Sequence, residues 1–365
     1  MVSKRGKMSS VSRWIKYASI LLAFFLVCTA AALAVVIRLN SPPDAPPRFQ
    51  AGDRTLRPDG ENNALILEVK NGETAYSVGK RLEEAGVIRS RYLWQLLSRI
   101  NRDYIKSGFY RIELPATQMG IHALLVSGSQ ILVRVTVPEG VTLKKTARIM
   151  EEAGICTAGD FLKAAASETI RNNYHVSGET MEGYLYPDTY FFPLSFPAGM
   201  VVTAMADTFF ERLREIAPEA LNMNARDLNS RVIIASIVER EYRVDEEAGL
   251  MAGVFYNRLN IGMALQSCAT VEYVITEIQG RPHPEVLYNR DTAIRDPYNT
   301  YIMPGLPPGP ISAPGRTALA AAFHPAASDF LYFRLTDAAA GKHYFSRTLD
   351  DHIRAGALYV KGRSF

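Results

Sequence analysis

From Tyr17 to Ile37 the chain runs 21 residues without a charge, YASILLAFFLVCTAAALAVVI. As a helix rising 1.5 Å per residue it would extend about 31 Å, the thickness of a bilayer's hydrocarbon core. Lys4, Arg5, Lys7, Arg13 and Lys16 precede it with no acid among them, and Arg38 follows. Basic flanks stay on the cytoplasmic side, so the pattern predicts a cytoplasmic stub (1–16), a transmembrane helix (17–37) and an exported body. Two other readings share that export. Ala32-Leu33-Ala34 resembles a signal-peptidase site, although the apolar run exceeds the usual hydrophobic region of a signal peptide. Cys28 could carry lipid, although Val27 precedes it where a small residue is expected.

Removing the stub changes the charge balance. The whole chain has 41 Lys+Arg and 37 Asp+Glu, a formal +4, but five of those bases lie before residue 17. The body is near neutral and offers no electrostatic footprint for nucleic acid. Its 48% hydrophobic and 21% charged residues are those of a globular chain, and 365 residues allow two to three domains. With Cys28 in the apolar run, Cys156 and Cys268 could form at most one disulfide; two unpaired thiols is the simpler expectation.

Residues 38–63 hold Pro42, Pro43, Pro46, Pro47 and Pro58 without hydrophobic periodicity. They read as a semi-stiff linker that could extend to about 80 Å as polyproline II. An internal similarity follows. Leu67-Glu-Val-Lys-Asn-Gly-Glu-Thr leads to Leu82-Glu-Glu-Ala-Gly-Val-Ile, and 68 residues later Val135-Thr-Val-Pro-Glu-Gly-Val-Thr leads to Met150-Glu-Glu-Ala-Gly-Ile. Each copy predicts a strand, a Gly turn, a Thr N-cap, an amphipathic helix and a closing Gly. Helix 89–101 and strands 107–114 and 130–137 are expected around them. Such small βα units resemble LysM modules, which bind the glycan of peptidoglycan; a purely structural module is the simpler reading, since no aromatic platform stands out. The expected architecture is α+β: the anchor helix, a small LysM-like βα module (64–156), then a mixed α+β catalytic domain (157–365).

Helix-start signals at Asp227–Arg231 precede Val232-Ile-Ile-Ala-Ser-Ile-Val238, apolar on every face except for small Ser236, and Glu239 follows directly. A helix apolar all round is a buried one. A carboxyl at its exit meets apolar surroundings and the negative end of the helix dipole, and both raise its pKa toward what a general acid needs. A surface glutamate paired with Arg240 or Arg243 is the alternative. Asp245 is expected to cap a further helix that Gly262 ends.

Five segments carry a resemblance in chain order: EGYLYPDTYFFP (182–193), SIVEREY (236–242), FYNRLNIGMALQS (255–267), PYNTYIMPGLPPGPIS (297–312), and a tail with His324-Pro and His343-Tyr-Phe-Ser-Arg-Thr-Leu-Asp-Asp-His352. The chain resembles the endolytic murein transglycosylases of the MltG (YceG-like) family, whose catalytic glutamate maps onto Glu239. The resemblance implies cleavage of the β-1,4 bond between N-acetylmuramic acid and N-acetylglucosamine inside nascent strands. The muramic C6 hydroxyl attacks in place of water, which leaves 1,6-anhydro ends and terminates elongation. Unlike glycosidases with paired carboxylates, such an enzyme needs one acid, because the nucleophile is internal. It also implies a single-pass inner-membrane protein with its catalytic domain outside, peptidoglycan strands as substrate, and peptidoglycan synthases (penicillin-binding proteins) as partners. No cofactor or metal is implied, and the six histidines show no close ligand pairs.

Sugar faces take aromatic rings and sugar hydroxyls take amides, so Tyr186, Tyr298, Asn299, Tyr301, Asn257 and Gln266 are candidate substrate contacts. Glu182 is a candidate neighbour of the acid. Glu241, at i+2 from Glu239 and so facing elsewhere on the helix, is expected in a supporting role. Cys268 and Ala269 replace the family's Asp-Pro, Tyr242 a common Thr, and Ala313 a common Asn. If the missing Asp orients substrate, activity changes; if it caps a helix, about 1 kcal/mol of stability is lost. Two rival functions stand beside the transglycosylase: a hydrolytic muramidase using Glu239 and a second acid, and a non-catalytic glycan-binding scaffold.

Overall fold

Arg5–Asn40 forms one helix (α1), longer than the expected span at both ends. Among the described residues it is the one helix long and apolar enough to cross a membrane, by length and composition. The computed structural model describes residues 5–49, 55–59, 63–101 and 104–361, and they divide into a first unit (Met1–Ile131) and a second (Leu132–Phe365).

In the first unit, β1 (Leu56–Pro58), β2 (Ala64–Val69), α2 (Ala75–Glu84), α3 (Arg91–Asn101), β3 (Gly108–Glu113) and α4 (Gln118–Ser127) follow α1. The strands form one antiparallel sheet, β1-β2-β3, with Leu67 opposite Tyr110. Alternation puts Leu65 and Leu67 on the face covered by Val78 and Leu82 of α2, Trp94 of α3, and Ile121 and Leu125 of α4. The fully buried Trp94 donates its indole N–H to Ala75 O (2.8 Å), and a Cβ on Gly79 would overlap the indole ring. A glycine inside α2 is thus set by the packing of α3, despite its low helix propensity.

The Pro-rich stretch departs from the expected free linker. Arg89 donates to the carbonyls of Ser41 and Pro42 (3.2 and 2.6 Å), and both Arg89 and Arg38 pair with Asp44 at 2.7 Å. Those two guanidinium groups, Arg89 first, hold the Asp44 carboxyl down at about 2. Arg48 N–H reaches Ala85 O, and Asn40 Oδ1 accepts from Met119 N–H at the start of α4. Residues 41–49 are therefore fastened to the first unit, and Leu56–Pro58 is a strand of its sheet. The rest of the expected linker, 50–54 and 60–62, lies outside the described residues.

The second unit contains β4 (Leu132–Thr136), α5 (Leu143–Glu152), α6 (Ala158–Ala165), α7 (Glu168–Asn173), β5 (Thr189–Pro193), α8 (Ala198–Ile216), α9 (Ala225–Glu241), α10 (Asp245–Asn260), α11 (Cys268–Tyr273, extended by a π-helical turn to Ile278), α12 (Asn289–Thr292), α13 (Arg316–Phe323), β6 (Tyr332–Asp337), β7 (Lys342–Ser346) and α14 (Leu349–Lys361). Its core surrounds α9, which packs against α10, α11 and α13. Sheets β4-β5 and β6-β7 are antiparallel pairs.

Both copies of the repeat have the expected local form. Thr74 and Thr142 accept the N–H groups of Ser77 and Lys145, and Gly72 and Gly140 turn the chain at φ 75° and 72°. They do not share a unit. β4 pairs with β5 (Val135 opposite Tyr190) and α5 packs on α6, so residues 132–156 belong with the second unit, and the expected boundary after 156 moves to 131.

Candidate active site

α9 begins at Asn224, whose side chain accepts Asp227 N–H (2.9 Å), slightly earlier than the Asp227 start read from the sequence. Val232 to Val238 are each at most 3% exposed. The polar member of that run, Ser236, accepts Ile311 N–H (3.0 Å) while its carbonyl accepts the Ser312 hydroxyl (2.9 Å). These bonds lay the 311–315 segment along the end of α9. α10 starts with Val244 at its N-cap, so Asp245 is its first helical residue and caps nothing by its side chain.

Glu239 stands partly buried just past this run, and its Oε2 accepts Gly315 N–H at 2.8 Å. Burial pushes its carboxyl up to about 8. The Gly315 N–H favours the ionised form but does not outweigh burial, and the negative charges of Glu139 and Asp245 add to the rise. Glu239 thus keeps its proton at neutral pH.

Glu139 was not foreseen. It belongs to the Pro138-Glu139-Gly140 turn of the second repeat, where the first copy has Lys70-Asn71-Gly72. Gly140 N–H donates to Ala313 O (2.9 Å) and Ala313 N–H to Val141 O (2.8 Å), joining the turn to the 311–315 segment. Glu139 lies against Gly315 where any Cβ would overlap its carboxylate, and Gly140 lies against Glu239 Cγ. The charge difference between the two repeat copies was the available signal. Ala313, in place of the family's common Asn, acts here through its backbone. Tyr242 lies beside both glutamates and bonds Thr317; burial first, then Glu239 and Glu139, push its hydroxyl up.

The candidate contacts fall into distinct settings. Glu182 is 8% exposed and both its oxygens accept Leu143 N–H (3.0 and 2.9 Å), which caps α5. It forms one wall of a cavity of about 550 Å³ with Tyr273, Tyr298, Asp296, Pro308 and Pro310, and Glu239 is not among the lining residues. The rings of Tyr273 and Tyr298 lie 5.0 Å apart. Gln266 is exposed in the left-handed region (φ 51°), a strained conformation typical of functional loops. Its N–H donates to Thr300 O (3.1 Å), and nearby the Cys268 sulfur meets the Tyr301 hydroxyl (3.1 Å). Asn257 donates to the carbonyls of Ser328 and Phe330, and the fully buried Asn299 to those of Thr292 and Ile294. Both amides hold loops in place. Tyr186 is 7% exposed, and its carbonyl accepts the Tyr190 hydroxyl (2.7 Å).

Glu241 accepts the Ser267 hydroxyl (2.5 Å), and the Ala269 N–H also points at its carboxyl, so it supplies the acceptor at the start of α11. Burial pushes this carboxyl up. Capping of this helix, one of the two roles considered for the family's aspartate at 268, is thereby filled from α9. Arg240 pairs with Glu272 at 2.8 Å, not with Glu239. All three cysteines are free.

Glu182 makes stability depend on pH. Burial lifts its carboxyl from 4.5 to about 8, against the Leu143 N–H. A folded-state value above the unfolded one means the contribution is fully present below about 4.5 and lost as pH rises through about 8. Melting temperature is expected to fall across that window. Glu182→Gln, which cannot ionise, should flatten the decline by up to about 1.4 kcal/mol per pH unit. Parallel wild-type and variant melting curves would refute this.

The YceG-like family model matches residues 67–357. Endolytic murein transglycosylase of Streptococcus pneumoniae is 28% identical over 333 residues, covering 82% of this chain and 59% of the relative, so the chain spans less than two thirds of that protein. The Bacillus subtilis protein of the same name is 27% identical over 340 residues, covering 87% of this chain and 91% of its own length. A crystal structure of a YceG-like protein from Listeria monocytogenes matches with a TM-score of 0.54 and 28% identity, covering 80% of this chain and 99% of that one.

Proposed function

The chain belongs to the YceG-like family, and on that premise we propose that it is a membrane-anchored lytic transglycosylase. Its reaction would cut the MurNAc–GlcNAc β-1,4 bond within nascent peptidoglycan strands and leave 1,6-anhydroMurNAc ends. One observation carries this reading: Glu239 leaves a buried helix with its carboxyl pushed up to about 8 by burial. Because Oε2 accepts Gly315 N–H, the proton belongs on Oε1. Oε1–H donates to the glycosidic oxygen as the bond breaks. The resulting carboxylate then takes the proton of the muramic C6 hydroxyl as that oxygen closes on C1, which returns Glu239 to its acid form.

Tyr298, Tyr301 and Gln266 are the proposed sugar contacts, since each retains exposed surface beside a loop of Pro and Gly residues. Asn257, Asn299 and Glu241 support nearby loops, Glu182 serves as a largely buried wall, and Tyr186 packs in the core. α1 is the proposed anchor, with its basic end in the cytoplasm and the body outside. The first unit, with the first repeat, is the proposed LysM-like module, and peptidoglycan synthases are the proposed partners.

The position of Glu139 favours a second reading, hydrolysis by a carboxyl pair. Mass spectrometry of digested peptidoglycan separates the two. We expect 1,6-anhydro ends; reducing muramic ends would replace the transglycosylase by a muramidase.

A further inference from the structure

Two carboxyl groups flank one backbone position. Gly315 gives its N–H to Glu239 Oε2, and its open Cα face is filled by the Glu139 carboxylate. Glu139 is exposed and has no hydrogen-bond or ion-pair partner among the described residues. The turn carrying it is joined to the Ala313 backbone by two hydrogen bonds, which fix the backbone of Glu139 beside Gly315. The other charged or titratable groups facing Glu239 are Asp245, from the start of α10, and Tyr242. Arg316, beside Gly315, turns to Glu215 at 3.2 Å and leaves the pair without a counter-charge from α13.

We propose that Glu139 is a positioning residue for the general acid: its carboxylate, lying across Gly315 from Glu239, keeps the proton on Glu239 until a glycosidic oxygen accepts it. The proposal rests on the reading of Glu239 as that acid. Like charges resist sharing a site, so ionising Glu239 beside an anion is disfavoured, whereas passing its proton to substrate is compensated when the C6 hydroxyl proton replaces it. Nothing in this role needs Glu139 to attack carbon or to activate water.

The test is a carbon-13 NMR titration of the full chain labelled at glutamate carboxyls, with the Glu239 signal assigned by its loss in Glu239→Gln. In Glu139→Gln the Glu239 midpoint is expected to move toward acid by about one pH unit. The alkaline limb of the cleavage profile should move with it. A midpoint that stays put overturns the proposal, and so does a rate loss without displacement of the limb, which is what a merely structural residue would give. Melting curves show whether the variant folds. If it does not, Glu139→Asp carries the test: its charge is withdrawn by one methylene, a smaller displacement in the same direction is expected, and none refutes the idea. Because the NMR midpoint is read without turnover, an inactive wild type would overturn the enzymatic reading separately.

Discussion

Glu239→Gln is expected to reduce glycan cleavage by a factor on the order of 10² to 10⁴, the usual contribution of a positioned general acid. The amide can still accept Gly315 N–H, so the fold should persist, but it carries no proton that can be lost and regained within a cycle. Melting temperature should stay level or rise, because a buried carboxyl that ionises at alkaline pH has been removed. The wild-type rate should decline as pH rises through about 8, where Glu239 loses its proton. Isolated sacculi, digested by both proteins and analysed for released muropeptides, provide the measurement. Equal digestion would remove Glu239 from the chemistry, and no digestion by either protein would leave the glycan-binding scaffold as the better account.

Gly183→Ala should strongly destabilise the second unit. Gly183 is held at φ 81°, where an L side chain costs about 1–2 kcal/mol. The added Cβ would also overlap the ring of Pro310 and come within 3.2 Å of Val232 Cγ1. Overpacking of this kind costs about 1–3 kcal/mol more. A melting point lower by several degrees is expected, together with weaker glycan binding, because Glu182 and Pro310 both line the cavity beside Tyr298. An unchanged melting curve would show that the two loops can separate freely.

The sequence announced those features whose cause is local. A run apolar on every side, Val232 to Val238, has nowhere to go but inside, and a threonine ahead of an amphipathic stretch caps a helix in both repeats. What escaped it depends on partners distant in sequence. Proline content marked 38–63 as irregular, but whether such a stretch hangs free or lies flat depends on Arg89, some 45 residues onward. Asn257 and Asn299 looked like amides for sugars; only packing shows their N–H groups turned to backbone carbonyls. Glu182 was the expected companion of the acid, but it caps α5, and Glu139 arrives instead from a repeat whose glycine had drawn all the notice. α4 was missed because its apolar residues follow no clear period between Thr117 and Gly128.

Where α1 crosses a bilayer, the fastening of residues 41–49 has a further consequence. A slack leash would let the first unit range far from the end of α1, whereas a clasp formed by Arg38, Asp44 and Arg89 keeps it at that helix's doorstep. Asp44→Ala would remove both ion pairs, yet the bonds from Arg89 to the Ser41 and Pro42 carbonyls and from Arg48 N–H to Ala85 O would still keep the unit's reach short.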